Sequence, residues 1–140
     1  MKGGGGLDAA DEKRILVVED DVTIARLIER AFVRLGYTVR VANSCAEARR
    51  AAGAAFQCGV FDIELRDGDG VGVALTLLED ERVRTVVFYT GSLDPEARGR
   101  AARVGRVIDK LSPFSDLENH VAELVASPAR SRNTPKHRKP

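Results

Sequence analysis

Residues 15–21 read ILVVEDD. Four apolar residues without a polar interruption suit a strand buried on both faces, as in a parallel sheet covered by helices on two sides. Three acids then follow at once. An acid at a strand end is often a helix cap, and Asp21 can cap the helix that comes next. Glu19 and Asp20 need a separate reason to stand there.

Outward from this stretch the pattern alternates. Ile24, Leu27, Ile28, Ala31 and Leu35 form the stripe of a first helix, stopped by Gly36. Thr38 to Val41 is β-branched and reads as a second strand. Ser44-Cys-Ala-Glu47 has the form of a capping box and opens a helix that ends near Gly53. Cys58 to Phe61 is a third strand. A loop rich in Asp and Gly leads to a third helix through Val73, Leu77 and Leu78. Thr85 to Tyr89 is a fourth strand, and Asp94-Pro95 supplies a cap and a proline at the first helical position. Arg106 to Ile108 is a fifth strand. Ser115-Asp-Leu-Glu118 forms a second capping box, and its helix carries Leu117, Val121, Leu124 and Val125. Five strands alternating with five helices predict an α/β fold, a parallel sheet with helices on both faces. In such sheets the ligand site lies beyond the carboxyl ends of the strands, where strand order reverses.

The rest of the chain sets bounds. Its 140 residues suit one domain, and an apolar share of 44% is enough for a real core. Residues 1–12 are glycine-rich and read as a flexible leader; the four glycines lack the Lys-Ser/Thr of a phosphate loop. The domain spans residues 13–126. Residues 127–140 hold five basic side chains and no acid, and read as a disordered, solvated tail. That tail could touch nucleic acid only through phosphates. The folded part is mildly acidic and offers no nucleic-acid surface. Cys45 and Cys58 have neither metal-binding spacing nor a disulfide framework. No apolar run is long enough to span a membrane, so the cytoplasm is the default compartment.

Four strand ends carry chemistry. Strand one ends in Glu19-Asp20-Asp21, strand three in Asp62, strand four in Thr90-Gly91-Ser92 and strand five in Asp109-Lys110. The fold brings these distant positions to one edge. Crowded carboxylates repel, and a small hard cation relieves them. Magnesium prefers oxygen ligands and is often held by one or two carboxylates. Asp20 and Asp62 are the expected direct ligands, with Glu19 acting directly or through water and the Glu64 carbonyl filling another place. With the ion bound, an oxygen of Asp62 can attack phosphorus and form an aspartyl phosphate. Catalysis is then mostly positioning and charge stabilisation, shared among Mg2+, Lys110 and the Thr90 hydroxyl.

With ILVVEDD, the Asp that ends an apolar third strand before a DG pair, Thr-Gly-Ser after the fourth strand, and Lys110 near Pro113-Phe114, the chain resembles the response-regulator receiver family over residues 13–126. The resemblance implies a flavodoxin-like fold with strand order 2-1-3-4-5. It implies phosphoryl transfer from a sensor histidine kinase or phosphotransfer protein to Asp62. It also implies signalling to a downstream protein through the face made by the fourth helix, fifth strand and fifth helix, which is the homodimer surface of look-alikes. It further implies a domain that accepts a phosphoryl group and loses it again, and is not otherwise an enzyme.

Three departures stand out. The family usually has Pro four residues after the phosphoacceptor, and here it is Arg66. The lysine is followed by Leu111, not Pro, so a trans peptide is expected. The position three before the lysine is commonly aromatic and here is Val107, which predicts a weaker or differently built switch and a fourth helix that stays in place with a phosphate mimic. Glu64 and Ser92 flank the phosphoryl position, and Glu64 is expected to influence aspartyl-phosphate lifetime. A haloacid-dehalogenase-type phosphatase would need a second Asp where Glu64 stands. A calcium loop through Asp62, Glu64, Asp67, Asp69 and Gly70 fails on spacing, and Asp67 reads as solvated loop. The rival reading is a receiver-fold adaptor that works by protein contact without phosphorylation.

Overall fold

A computed structural model describes residues 13–51 and 53–127. The expected leader and nearly all of the basic tail lie outside the described residues. The chain runs β1 (Arg14–Val18), α1 (Val22–Arg34), β2 (Thr38–Ala42), α2 (Cys45–Arg50), β3 (Cys58–Phe61), a hairpin of β4 (Glu64–Leu65) and β5 (Gly68–Asp69), α3 (Gly70–Glu79), β6 (Val86–Thr90), α4 (Pro95–Ala102), β7 (Arg106–Asp109) and α5 (Phe114–Ala126). Five strands form one parallel sheet in the order β2-β1-β3-β6-β7. This is the flavodoxin-like order, with β1 flanked on one side by β2 and on the other by β3. The crevice between β1 and β3 is thus the switch point of the sheet.

Alternation along the strands sorts the core into two layers. Leu16, Val18, Phe61 and Phe88 point to one side, where Ala48, Val73, Ala74, Leu77 and Ala101 of α2, α3 and α4 cover them. Ile15, Val17, Val60, Val87 and Tyr89 point to the other, under Ile28 and Phe32 of α1 and Leu117 and Val121 of α5. The last four residues of β1, Ile15 to Val18, are fully buried. That two-sided burial explains the uninterrupted apolar run.

Two sequence expectations need correction. The buried face of α1 is Ala25, Ile28 and Phe32, while Leu27 and Leu35 are more than half exposed. Phe32 sets this rotation, because its ring packs against Tyr37 and Phe114 at 5.5 and 6.1 Å between centroids. The second capping box does not form. α5 starts at Phe114 behind Pro113, without a side-chain cap, so Ser115 lies inside the helix. Phe114 packs between Phe32 and Tyr89, which fixes the entry two residues early. The other caps hold. Asp21, Ser44 and Asp94 accept from the amides of Ile24, Glu47 and Glu96. Glu47 returns its bond to the Asn43 amide at 2.6 Å.

α4 is the lightest element. Of its eight residues PEARGRAA only Ala97 and Ala101 are buried. Arg98 donates to the Ser92 carbonyl at 2.7 Å and pairs with Asp109 at 3.5 Å. Arg100 pairs with Asp69 at 2.8 Å, both side chains being half-exposed.

Candidate phosphoacceptor site

Backbone ladders carry the site residues to one edge. The Glu19 amide donates to the Ala42 carbonyl, the Asp62 amide to Val18 and the Lys110 amide to Thr90. Each bond continues the sheet by one residue past its strand end. Register then does the rest: Val18 faces Phe61, Phe61 faces Phe88, and Thr90 faces Asp109. Just past those paired residues stand the acids and the lysine.

Glu19, Asp20 and Asp62 each offer a carboxylate oxygen, and these oxygens lie within 4.8 Å of one another. Lys110 Nζ closes the group, 2.8 Å from Glu19 Oε1 and 3.0 Å from Asp62 Oδ2. Asp20 Oδ2 accepts from the Arg66 amide at 2.7 Å. The peptide between Lys110 and Leu111 is trans, as every peptide among the described residues is.

Electrostatics follow from burial. Glu19 is 2% exposed, and that burial raises its pKa above the usual 4.5; the bonds from Lys110 and the Asp21 amide pull against this, and the Asp62 charge adds to it. Burial also pulls Lys110 down, but its bonds to Glu19 and Asp62 outweigh it and its pKa is raised. The two shifts differ in what they say of one ion pair. The lysine gains from the pair, while the glutamate still loses more to burial than it recovers. One ammonium faces three clustered acids, so negative charge is in excess there. A hard dication bound by oxygen fits this donor set, with Glu19, Asp20 and Asp62 as its side-chain ligands.

Thr90 and Glu64 reach the site differently. Thr90 is fully buried and its Oγ1 accepts from the Ser92 amide at 3.1 Å. The Glu64 carboxylate turns aside to accept from the Ser92 hydroxyl at 2.8 Å, leaving its main chain as what it can offer an ion. Its amide lies 3.4 Å from Asp62 Oδ1. Gly70 packs against this main chain: a Cβ there would overlap the Asp62 carbonyl oxygen. The "DG" pair after the third strand is thus a close-approach requirement as well as a turn.

Sequence reasoning missed two contacts. Asp67 is not merely solvated loop. Its carboxylate accepts from the amides of Cys45 and Ala46 at 2.8 and 3.1 Å, capping α2 from across the chain. Those bonds hold its pKa below the usual carboxylate value. The Arg66 amide bond to Asp20 was likewise invisible, since a main-chain donor leaves no residue-type signal. The acid rich in neighbours, Asp67, carried a signal only in its place opposite a helix start.

Three acids and a lysine thus meet at the switch point of a parallel sheet with the order β2-β1-β3-β6-β7. The family model described as the response regulator receiver domain matches residues 15–122, and the chain belongs to that family. It is 26% identical over 127 residues to the acid tolerance regulatory protein ActR of Rhizobium meliloti (strain 1021), covering 90% of this chain and 65% of that protein. The chain thus spans just under two thirds of the length of that relative. It is 29% identical to the response regulator receiver protein CpdR of Brucella abortus (strain 2308), over 81% of this chain and 97% of CpdR. Among solved structures, a CheY-like receiver domain protein from Methanospirillum hungatei JF-1 superposes with a TM-score of 0.76 at 22% identity, covering 86% and 98% of the two chains. TrrA of Thermotoga maritima, solved in complex with Mg(2+)-BeF, superposes with a TM-score of 0.70 at 23% identity, covering 80% and 98%. No helix among the described residues is long and apolar enough to cross a membrane.

Proposed function

We propose that Asp62 is the phosphoacceptor of this receiver domain and that the transfer needs Mg2+ held by Glu19, Asp20, Asp62 and the Glu64 main chain. The observation that carries this reading is the contact of Lys110 Nζ with Asp62 Oδ2 at 3.0 Å inside the three-acid cluster. The ion supplies charge neutralisation at the acceptor and at the incoming phosphoryl oxygens. Asp62, 8% exposed, presents a carboxylate that cannot turn far, because Lys110 and the Glu64 amide hold its two oxygens. An Asp62 oxygen attacks phosphorus in line. The P–O bond forms as the P–N bond of a phosphohistidine breaks, and the leaving imidazole nitrogen keeps the electron pair. Lys110 and the Thr90 hydroxyl then face the charge spread over the outer oxygens.

The donor in this reading is a sensor histidine kinase or a phosphotransfer protein. Output goes to a downstream protein, or to a second copy, through the face of α4, β7 and α5. The setting is the cytoplasm. Incubation with acetyl phosphate and Mg2+, followed by intact mass measurement, tests the core of it. Wild type is expected to gain one phosphoryl group, and Asp62→Asn and EDTA-treated wild type none. Equal labelling of Asp62→Asn would overturn the assignment. No labelling and no beryllofluoride complex of wild type would favour the adaptor reading.

A further inference from the structure

The position four after Asp62 departs from its family in a way that the fold uses. Arg66 opens the two-residue turn of the β4–β5 hairpin, and its amide donates to Asp20 Oδ2 at 2.7 Å. A proline there has no N–H to give. The same turn is fastened from the next residue, since Asp67 binds the first amides of α2. Three bonds at two adjacent residues therefore anchor the hairpin tip, one to the loop after β1 and two to α2. The Arg66 side chain is exposed, so the bond belongs to the main chain and not to the guanidinium.

We propose that the Arg66 amide is a positioning group for the metal ligand Asp20, taking over by hydrogen bonding the rigidity that a proline ring would give the loop. Asp20 sits on a loop after β1 and is less buried than Glu19 or Asp62. A carboxylate on such a loop must be oriented before it ligates well, and outer hydrogen bonds to ligating carboxylates are worth about 10- to 100-fold in metal affinity. With Oδ2 accepting from the amide, the Asp20 carboxylate is held in place beside Glu19 and Asp62. Hairpin and ion site are then linked: what loosens the turn loosens Asp20. The inference rests on the Mg2+ reading above.

The test compares Arg66→Pro with Arg66→Ala. Both remove the guanidinium charge, and only the proline removes the amide. Pro is accepted at the first central residue of common turns, so the fold should tolerate it. Mg2+ is titrated against each by calorimetry. Arg66→Pro is expected to bind about tenfold more weakly than Arg66→Ala. Hydrogen exchange of the Arg66 amide without Mg2+ is measured in parallel, and is expected to be faster in Asp20→Ala than in wild type. Equal Mg2+ affinity of the two Arg66 variants, or unchanged exchange in Asp20→Ala, would overturn the inference while leaving the ion site standing. Absence of Mg2+ binding in wild type sinks the ion reading itself, and with it the role in metal affinity.

Discussion

Replacing Lys110 by Met removes the cation that bridges the buried acids Glu19 and Asp62. In the metal-free protein Glu19 loses a partner at 2.8 Å and Asp62 one at 3.0 Å, with Asp20 still beside them. Breaking a buried pair by removing one partner costs about 3 to 5 kcal/mol when the remaining charge has no escape. Here there is an escape, since a carboxyl can take up a proton. At pH 7 that costs a group of ordinary pKa 4.5 about 3.4 kcal/mol, and less for Glu19, whose pKa is already raised. The expected loss is therefore about 2 to 3 kcal/mol at pH 7 in EDTA. At pH 5 the proton costs an ordinary carboxyl only about 0.7 kcal/mol, so the difference from wild type should shrink to less than half. Saturating Mg2+ should also narrow the gap, because the ion replaces the missing charge. Urea unfolding followed by circular dichroism, in EDTA at pH 7 and pH 5 and in Mg2+ at pH 7, measures all three. A variant as stable as wild type in EDTA at pH 7, or one equally destabilised at both pH values, would refute the electrostatic account.

Glu64→Ala deletes the carboxylate that holds the Ser92 hydroxyl; losing about 1 kcal/mol of order beside Asp62 should speed loss of the phosphoryl group about fivefold, and a phosphate-release assay giving identical rates would dismiss it. Gly70→Ala places a methyl on the Asp62 carbonyl and should cost about 3 kcal/mol or more in urea unfolding while lowering acetyl phosphate labelling. Asp67 has a lowered pKa, so it contributes stability that is present above its usual 3.8 and lost as pH falls through its folded value. Asp67→Ala should therefore be less stable than wild type at pH 6, with the difference vanishing toward pH 2.

How far the sequence went follows from where each signal lives. The strand ends were legible because parallel strands buried on both faces leave apolar runs, and the residue that breaks the run is the one at the sheet edge. Glu19, Asp20, Asp62 and Lys110 were placed together on that ground alone, and the structure brings them within hydrogen-bonding or ligating reach. Helix faces were less legible. The α1 stripe was drawn through Leu27 and Leu35, whereas one aromatic, Phe32, outweighs both by docking on Tyr37 and Phe114. The box at Ser115 has the right residue types, but tertiary packing of Phe114 overrode it. Contacts made by main-chain amides, or by acids across the chain, were closed to sequence reasoning because they depend on the hairpin path between Glu64 and Asp69.

The slight attachment of α4 has a consequence for how a signal leaves the site. Two buried alanine methyls contribute only about 1.6 kcal/mol of burial, Gly99 weakens the helix by about 1 kcal/mol, and the half-exposed Arg100–Asp69 pair adds little and is screened by salt. Such a segment opens locally far more often than the β1–β3 centre. Its polar anchors end on Ser92, Asp69 and Asp109; Ser92 is a partner in the Glu64–Ser92 bond and Asp69 pairs with Glu64 in the hairpin. On the proposed reading, a phosphoryl group that disturbs that bond would change how often α4 unravels rather than the place it occupies when closed. A partner reading this face would sense a shifted frequency of exposure, and raised ionic strength would mimic part of the message.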